Sequence, residues 1–193
     1  MVPPFYGVPV DGRFFMSQST TNYEIRTPTP SDIQGIMELW RRSWLATYPN
    51  SSEGVAYGWI DTLTQSWLNR NELTQRGQHL EERIKDPQKF TRIIKGGEVV
   101  IASLFGAKRQ DMQELQRLYV DADFHGTDIP HSLMEEFLDW CDTEVPIELE
   151  VASYTGRAKS FYEKHGFTVV ENSEHLFLGK IPCISMVREA ERN

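Results

Sequence analysis

Apolar and polar residues follow two repeating patterns along this chain, and the patterns predict strands alternating with helices. In YEIR, residues 23–26, apolar and charged residues alternate as they do on a half-buried strand. A helix is predicted next, because Thr29 is a suitable N-cap and Pro30 fits the first helical position. The apolar stripe of this helix consists of Ile33, Ile36, Met37 and Trp40.

A second helical region and a hairpin follow the first helix. Helical spacing continues from Trp59 to Ile84, with a predicted break near Gly77. The runs FTRIIK and EVVIASLFGAK flank Gly96 and Gly97, which predicts a β-hairpin because glycine tolerates positive φ. The remaining strands are predicted at 113–120, 147–151, 167–171 and 183–187, and the remaining helices at 132–140 and 155–165, the last one ended by Gly166.

This order of elements predicts the fold class. Single helices inserted between strands require a mixed sheet. We therefore expect an α/β (α+β) fold, with a mostly antiparallel central sheet of about seven strands and helices on both faces. At 193 residues the chain fits one domain. We expect residues 1–22 to be an N-terminal extension or linker and residues 23–193 to form the domain.

The composition is that of a globular protein and limits its partners. Hydrophobic residues make up 39% of the chain and charged residues 25%. The formal charge of -8 disfavours nucleic acid and suits cationic or neutral small substrates. No apolar run reaches the roughly 18 residues of a membrane span, so we expect a cytoplasmic protein without membrane contact. Two distant cysteines and five scattered histidines form no metal-ligand pattern, and no metal is predicted.

The stretch FHGTDIPHSLM, residues 124–134, combines features of an anion site with features of a helix cap. Free N–H groups at a helix start attract anions, and Gly126 would let the backbone come close to one. However, Pro130 has no N–H to donate and Asp128 is acidic. Thr127 or Asp128 as N-cap, with Pro130 in the first turn, is also a competent helix start without any ligand. On these residues alone both interpretations stay open.

Two longer stretches resemble the GCN5-related N-acetyltransferase (GNAT) superfamily. LQRLYVDADFHGTDIPHSLM, residues 115–134, has the layout of that family's acetyl-CoA segment, in which a strand of the form L-x-x-L-Y-V leads into Q/R-x-x-G-x-G/A and a helix. TGRAKSFYEKHGF, residues 155–167, resembles the family's N-x-x-A-x-x-F-Y-x-x-x-G-F. The matching residues of the second stretch are Ala158, Phe161, Tyr162, Gly166 and Phe167.

The first stretch departs from the family pattern more than the second does. His125 stands at the Gln/Arg position, while Asp128 and Pro130 replace the two small residues of the loop. Ala122 replaces the usual proline, and Thr155 replaces the usual asparagine. Losing one hydrogen bond to a charged group costs about 1.5–3 kcal/mol. We therefore expect acetyl-CoA to bind, but weakly. His125, if protonated, would suit the phosphates.

The resemblance implies acetyl-CoA as co-substrate. Its pyrophosphate would rest on the free N–H groups of the helix start, and its pantetheine arm would pair with the strand backbone. The positions carried over as cofactor-binding are Leu118, Tyr119, Val120, His125, Gly126, Thr127, Asp128, Ile129, Pro130, His131, Thr155, Ala158 and Phe161.

The resemblance also implies catalytic roles and an acceptor site. Tyr162 stands where the family's general acid commonly lies, although a core aromatic would fit the same position. Glu114 is the candidate base, although an exposed strand carboxylate would fit as well. The acceptor site would be built around Trp44, Tyr48 and the loop 50–58, and W-x-x-x-Y is also a common buried helix stripe.

The function predicted from these residues is direct transfer of an acetyl group from acetyl-CoA to the amine of a small molecule, a polyamine or an amino-acid derivative. The alternative is a catalytically impaired module that binds an acyl-CoA effector or a protein partner through the same groove. The changes in the loop, Asp128 and Pro130, and the replacement of the usual asparagine by Thr155 favour that alternative. The sequence is also compatible with a homodimer.

Overall fold

A computed structural model describes residues 23–191 of the chain. Its centre is a mixed sheet of eight strands in the order β1-β2-β3-β4-β5-β8-β6, with β7 paired to β8. The strands are β1 (Glu24–Arg26), β2 (Lys89–Gly96), β3 (Val99–Lys108), β4 (Gln113–Val120), β5 (Ile147–Ala152), β6 (Thr168–Val169), β7 (His175–Phe177) and β8 (Ile181–Arg188). The predicted fold class is confirmed. β7 is the one strand that the sequence pattern did not predict.

In the described part of the chain, five α-helices cover the two faces of the sheet: α1 (Ile33–Thr47), α2 (Tyr57–Ser66), α3 (Arg70–Lys85), α4 (Ile129–Trp140) and α5 (Gly156–Lys164). The break between α2 and α3 lies at 67–69, so the prediction of a break near Gly77 is wrong. Gly77 lies inside α3, where a Cβ would meet only ordinary contacts with Ile33 and Pro30. Gly166 has a φ of 83° and ends α5 as predicted.

Strands β4 and β5 form a parallel pair that separates after three residues. Gln113 pairs with Ile147 and Leu115 with Leu149, and no pairing follows beyond them in the described part of the sheet. Every other pairing in this part is antiparallel. The remainder of β4 and β5 therefore borders an opening instead of a ladder of hydrogen bonds.

A β-bulge at Gln116 changes the face on which the residues of β4 lie. Phe105 pairs with Arg117 but Gly106 pairs with Leu115, so Gln116 has no partner on β3. Strict alternation predicts that Leu115 and Tyr119 share a face. Instead Leu115 belongs to the core under α4 and α5, whereas Tyr119 packs against the core under α1.

The core lies on both faces of the sheet. Leu133, Met134 and Phe137 of α4 are fully buried on one face, and Ile36 and Leu39 of α1 on the other. These contacts fix α4 and α1 on either side of the opening between β4 and β5. None of the helices in the described part of the chain combines the length and apolar character that a membrane crossing requires.

Candidate active site

The main groove opens where β4 and β5 separate. It is a concave space of about 450 Å³ between these strands, the start of α4 and one side of α5. A volume of this size is typical of small-molecule sites. The main groove brings together ten of the predicted site residues: Leu118, Tyr119, Val120, His125, Gly126, Pro130, Thr155, Ala158, Phe161 and Tyr162.

The wall formed by the start of α4 offers backbone N–H groups. Within residues 23–191, the N–H groups of Gly126, Asp128 and His131 have no acceptor. Gly126 has a φ of 80°, and a Cβ there would meet nothing within 4 Å, so backbone conformation rather than space requires glycine. Pro130 lies in the first turn of α4 without an N–H of its own. This helix start can receive an anion through its free N–H groups and the positive end of the helix dipole.

His125 lies on the same wall as a neutral imidazole. Because a carbonyl only accepts hydrogen bonds, Nε2 carries the hydrogen that is donated to the Val120 carbonyl oxygen, 3.0 Å away. Burial lowers the pKa of His125, and the charge of Arg157 lowers it further. The structure therefore does not support a protonated His125 at neutral pH. Arg157, exposed on α5 and lining the same groove, carries the positive charge.

Four predicted cofactor-binding residues do not line the main groove. The Thr127 hydroxyl donates to a carbonyl of the preceding turn at 2.7 Å, and the Asp128 carbonyl accepts a hydrogen bond inside α4. Ile129 is buried in the core. Nδ1 of His131 lies 3.0 Å from Nε2 of His165 on α5. The side chains of Thr127, Ile129 and His131 are thus engaged within the fold.

The opposite wall is α5, which offers side chains. Thr155 precedes its first turn and donates its hydroxyl to the Ala152 carbonyl at 2.7 Å. Ala158 lines the groove with a small side chain, which leaves space for a ligand beside α5. Phe161 borders the groove beside it. Thr155 therefore fixes the start of α5 rather than presenting a free amide to a ligand, as the usual asparagine would.

Tyr162 presents a hydroxyl group from the core to the main groove. Its side chain is 8% exposed, and its ring lies against Phe161 and Phe167 with centroids 5.5 and 6.0 Å away. No residue within 23–191 forms a hydrogen bond to its hydroxyl group. Burial raises the pKa of Tyr162 well above its ordinary value, so the hydroxyl stays protonated at neutral pH. A protonated hydroxyl that has no partner in the described part of the chain, on a largely buried side chain, is suited to donating a proton.

Glu114, the predicted base, lies outside the main groove. Its carboxylate pairs with Nε of Arg109 at 2.7 Å and accepts a hydrogen bond from Gln116 at 3.0 Å. It sits on the part of β4 that is still paired with β5, before the opening begins. The carboxylate that does line the groove is Glu150 of β5, which the sequence prediction did not include.

A second concave space, the side cavity, adjoins the main groove on the α1 face. It has a volume of about 380 Å³. Tyr48, Gln116, Arg117, Tyr119, Glu150 and Ala152 line both spaces. Its aromatic residues are Trp40, Trp44, Tyr48, Trp67, Tyr119 and Phe177. Trp44 and Tyr48, predicted for the acceptor site, thus line a cavity, while the predicted loop 50–58 does not contribute to it.

Polar contacts hold the junction of the two spaces together. Nε1 of Trp44 donates to the Tyr119 hydroxyl at 2.8 Å, and the Tyr154 hydroxyl donates to the Tyr48 carbonyl at 2.7 Å. Burial raises the pKa of Tyr48 and Tyr119, so both hydroxyls stay protonated. Ser43 of α1 also lines the main groove, and its buried Oγ has no partner within the described residues. Such an orphaned hydroxyl fits a groove meant to receive a polar ligand.

Sequence reasoning missed Ser43, Arg117, Glu150 and Arg157. The two residues on strands, Arg117 and Glu150, carry no distinctive signal, since β4 and β5 hold other charged residues, such as Glu114 and Glu148. Arg157 stands inside a motif that was matched, at a position that the family pattern leaves open. Ser43 carries no signal, because a serine in an amphipathic helix is ordinary.

A model of the acetyltransferase (GNAT) domain family matches residues 54–189. No curated protein matches the chain. The fold is shared with the paiA N-acetyltransferase from Thermoplasma acidophilum, solved in complex with coenzyme A, at a TM-score of 0.69 and 18% identity. That match covers 87% of this chain and 99% of the other.

Two further solved structures share the fold. The structure of yncA from Salmonella typhimurium with its cofactor acetyl-CoA gives a TM-score of 0.65 at 15% identity, covering 89% of this chain and 96% of that one. The ribosomal-protein-S18-alanine N-acetyltransferase from Escherichia coli gives 0.55 at 16% identity, with 89% and 96% covered. At these identities the likeness concerns the fold alone.

Proposed function

The chain belongs to the GNAT acetyltransferase family, and on that premise we propose that it transfers an acetyl group from acetyl-CoA directly to the amine of a small molecule. The observation that carries this proposal is the separation of β4 from β5. It creates a groove for one substrate that meets a second cavity for the other.

The residues of the main groove suit acetyl-CoA. The free N–H group of Gly126 in the lining, with those of Asp128 and His131 beside it at the start of α4, would hold the pyrophosphate, and Arg157 is the nearby positive charge. Alternation along β4 turns the polar backbone groups of Leu118 and Val120 away from β3 and toward the opening, where an extended arm could pair with them.

The chemistry needs a proton acceptor near the amine and a proton donor near the sulfur. Acetyl-CoA supplies the acetyl group and a thiolate, so that a C–N bond forms, the C–S bond breaks, and one proton passes from nitrogen to sulfur overall. Tyr162 is the proposed donor, because its side chain is largely buried, lines the groove and keeps its hydroxyl protonated. Glu150 is the proposed acceptor, because this residue lines both the main groove and the side cavity, and its exposed carboxylate has only His175 as a partner in the described part of the chain, with Oε1 3.3 Å from Nε2.

Binding and turnover are tested separately. Excess acetyl-CoA should raise the melting temperature of the protein, since a ligand that binds only the folded state stabilises it. Free thiol should then be released when an amine panel is added. Glu150→Gln should lower this release far more than Glu114→Gln, and the reverse ranking would return the role of base to Glu114.

The alternative of a binding module without turnover has its own signature. Stabilisation by acetyl-CoA without thiol release on any amine would favour it over the enzyme. Pro130, which removes one N–H from the α4 wall, is the observation in its favour. The absence of both stabilisation and turnover would remove acetyl-CoA from the proposal altogether.

A further inference from the structure

The side cavity contains an arginine that the proposed chemistry does not use. Arg117 follows the bulge of β4 and lines both the side cavity and the main groove. Its guanidinium lies 4.8 Å from the centroid of the Trp40 ring, which fixes it by a cation-π contact. Within residues 23–191 it donates no hydrogen bond and has no carboxylate within 4.0 Å.

Two arginines line the side cavity of an otherwise acidic protein. Arg76 lines the same cavity, where it lies over Trp67 and pairs with Glu72. Desolvation lowers the pKa of Arg117, and the nearby charge of Arg76 adds to that effect. Glu150 is the single acidic residue in the cavity lining. Because Arg76 pairs with Glu72 and Glu150 lies beside His175, Arg117 is the guanidinium of this lining that has no carboxylate partner in the described part of the chain, although the chain as a whole carries a formal charge of -8.

The two ends of the side cavity carry side chains of opposite charge. Glu150 lies at the junction with the main groove, where the acceptor nitrogen must come to react. Arg76 lines the side cavity but not the main groove, and Arg117 links the two spaces. A polyamine would bring a second positive charge toward Arg76 and Arg117, which repel it. An amine that carries a carboxylate would satisfy both ends, because guanidinium groups bind carboxylates with paired hydrogen bonds.

We propose that the acceptor is an amino acid whose carboxylate is bound by Arg117, with an apolar or aromatic side chain against the tryptophans of the side cavity. The apolar or aromatic side chain follows from the lining, which includes Trp40, Trp44 and Trp67. This inference rests on the proposed acetyltransferase function and narrows its substrate class. It also reverses the expectation, drawn from net charge, that a cationic acceptor is preferred.

The test compares each amino acid with its own amide. Thiol release from acetyl-CoA is measured for a panel of L-amino acids, for the matching amino acid amides and for spermidine. The wild-type protein should prefer phenylalanine or methionine to its amide and to spermidine. In Arg117→Gln the preference for acid over amide should fall about ten- to a hundredfold, as expected when a hydrogen-bonded charge pair is lost. The acid and the amide differ in amine basicity, but this difference is the same in both proteins and cancels from the ratio.

Two further variants separate a binding role from a structural one. Arg117→Lys keeps the charge and should retain part of the preference. Arg70→Gln removes an exposed arginine at the start of α3, outside both spaces, and should leave the preference unchanged. The inference is wrong if some amine is acetylated but the acids are not preferred to their amides. It is also wrong if Arg117→Gln keeps the wild-type ratio of acid to amide turnover. In both cases the acetyltransferase function stands. If no amine is acetylated, both fall.

Discussion

The two walls of the main groove offer a ligand different kinds of groups. Helix α5 presents side chains, with Ala158 and Phe161 on the surface and Tyr162 rising from the core. The start of α4 presents backbone N–H groups beside Gly126, while the side chains of most neighbouring residues turn into the fold or to solvent. What the α5 wall offers a ligand therefore depends on the identity of its side chains, whereas what the α4 wall offers depends on its backbone conformation.

This difference explains why the α4 wall tolerates residues that the family pattern does not contain. Asp128 and Pro130 change side chains, and only Pro130 removes a group that a phosphate could use. On the α5 wall, by contrast, a change at Tyr162 or Ala158 alters the surface itself. A side-chain substitution on α5 should thus change binding or turnover more than a side-chain substitution at the start of α4 does.

The largest effect is expected for Tyr162→Phe. The change removes one hydroxyl and keeps the ring that packs on Phe161 and Phe167. Turnover should fall at least about tenfold, since general acid catalysis commonly contributes about a hundredfold or more. The dissociation constant of acetyl-CoA and the melting temperature should change little. Tyr23→Phe removes an exposed hydroxyl outside the groove and serves as the matched control.

An unchanged rate in Tyr162→Phe would mean that the residue is only a core aromatic. That interpretation also predicts a pH profile identical to that of the wild type. A lower rate with an altered profile therefore distinguishes proton donation from packing.

The fold could be predicted from the sequence to a large extent because its elements are locally encoded. The stop at Gly166 and the turn at Gly97 depend on positive φ, a property of single residues that the sequence displays. Strand β7 was missed because its three residues are all exposed and show no apolar alternation. The bulge at Gln116 was missed because it arises from pairing with β3, which no pattern within β4 records.

The candidate site could be predicted only where its residues share a motif. Gly126 and Tyr162 come from the two matched stretches and meet in the main groove. Glu150 and Arg117 lie on neighbouring strands whose separation brings them to the same place, and that separation is a property of the sheet. Glu114 was predicted because the resemblance implies its position, and no motif points to Glu150. The structure pairs the Glu114 carboxylate with Arg109 outside the groove, and Glu150, which lines the groove, lies beside His175.

The second largest effect is expected for a substitution at Gly126, which tests the backbone of the α4 wall. Gly126→Val places a β-branched residue at a φ of 80°, which costs about 1–3 kcal/mol if the conformation is kept. No atom lies within 4 Å of the new Cβ, so steric collision is not the cause. The loop should instead change conformation, and the dissociation constant of acetyl-CoA should rise about tenfold.

Gly97→Val is the matched control for this change. Gly97 has a φ of 63° in the β2–β3 turn, and its surroundings are equally open. Both variants should lose similar amounts of thermal stability, but only Gly126→Val should weaken acetyl-CoA binding, as measured by isothermal titration. Equal binding by the two variants would show that the α4 wall does not contact the ligand.

The smallest effect, and the only expected gain, is for Pro130→Ala. Alanine restores an N–H in the first turn of α4, and a phosphate on this wall would accept it. Affinity for acetyl-CoA should rise only about threefold, because the new N–H exchanges a bond to water for one to phosphate. Pro30→Ala makes the same change in the first turn of the helical segment that leads into α1, away from the groove, and should leave affinity unchanged. If Pro130→Ala also binds acetyl-CoA no better, while Gly126→Val binds it worse, the ligand contacts the loop at Gly126 but not the axis of α4. The contribution of the α4 wall to ligand binding would then come from the backbone at Gly126 alone.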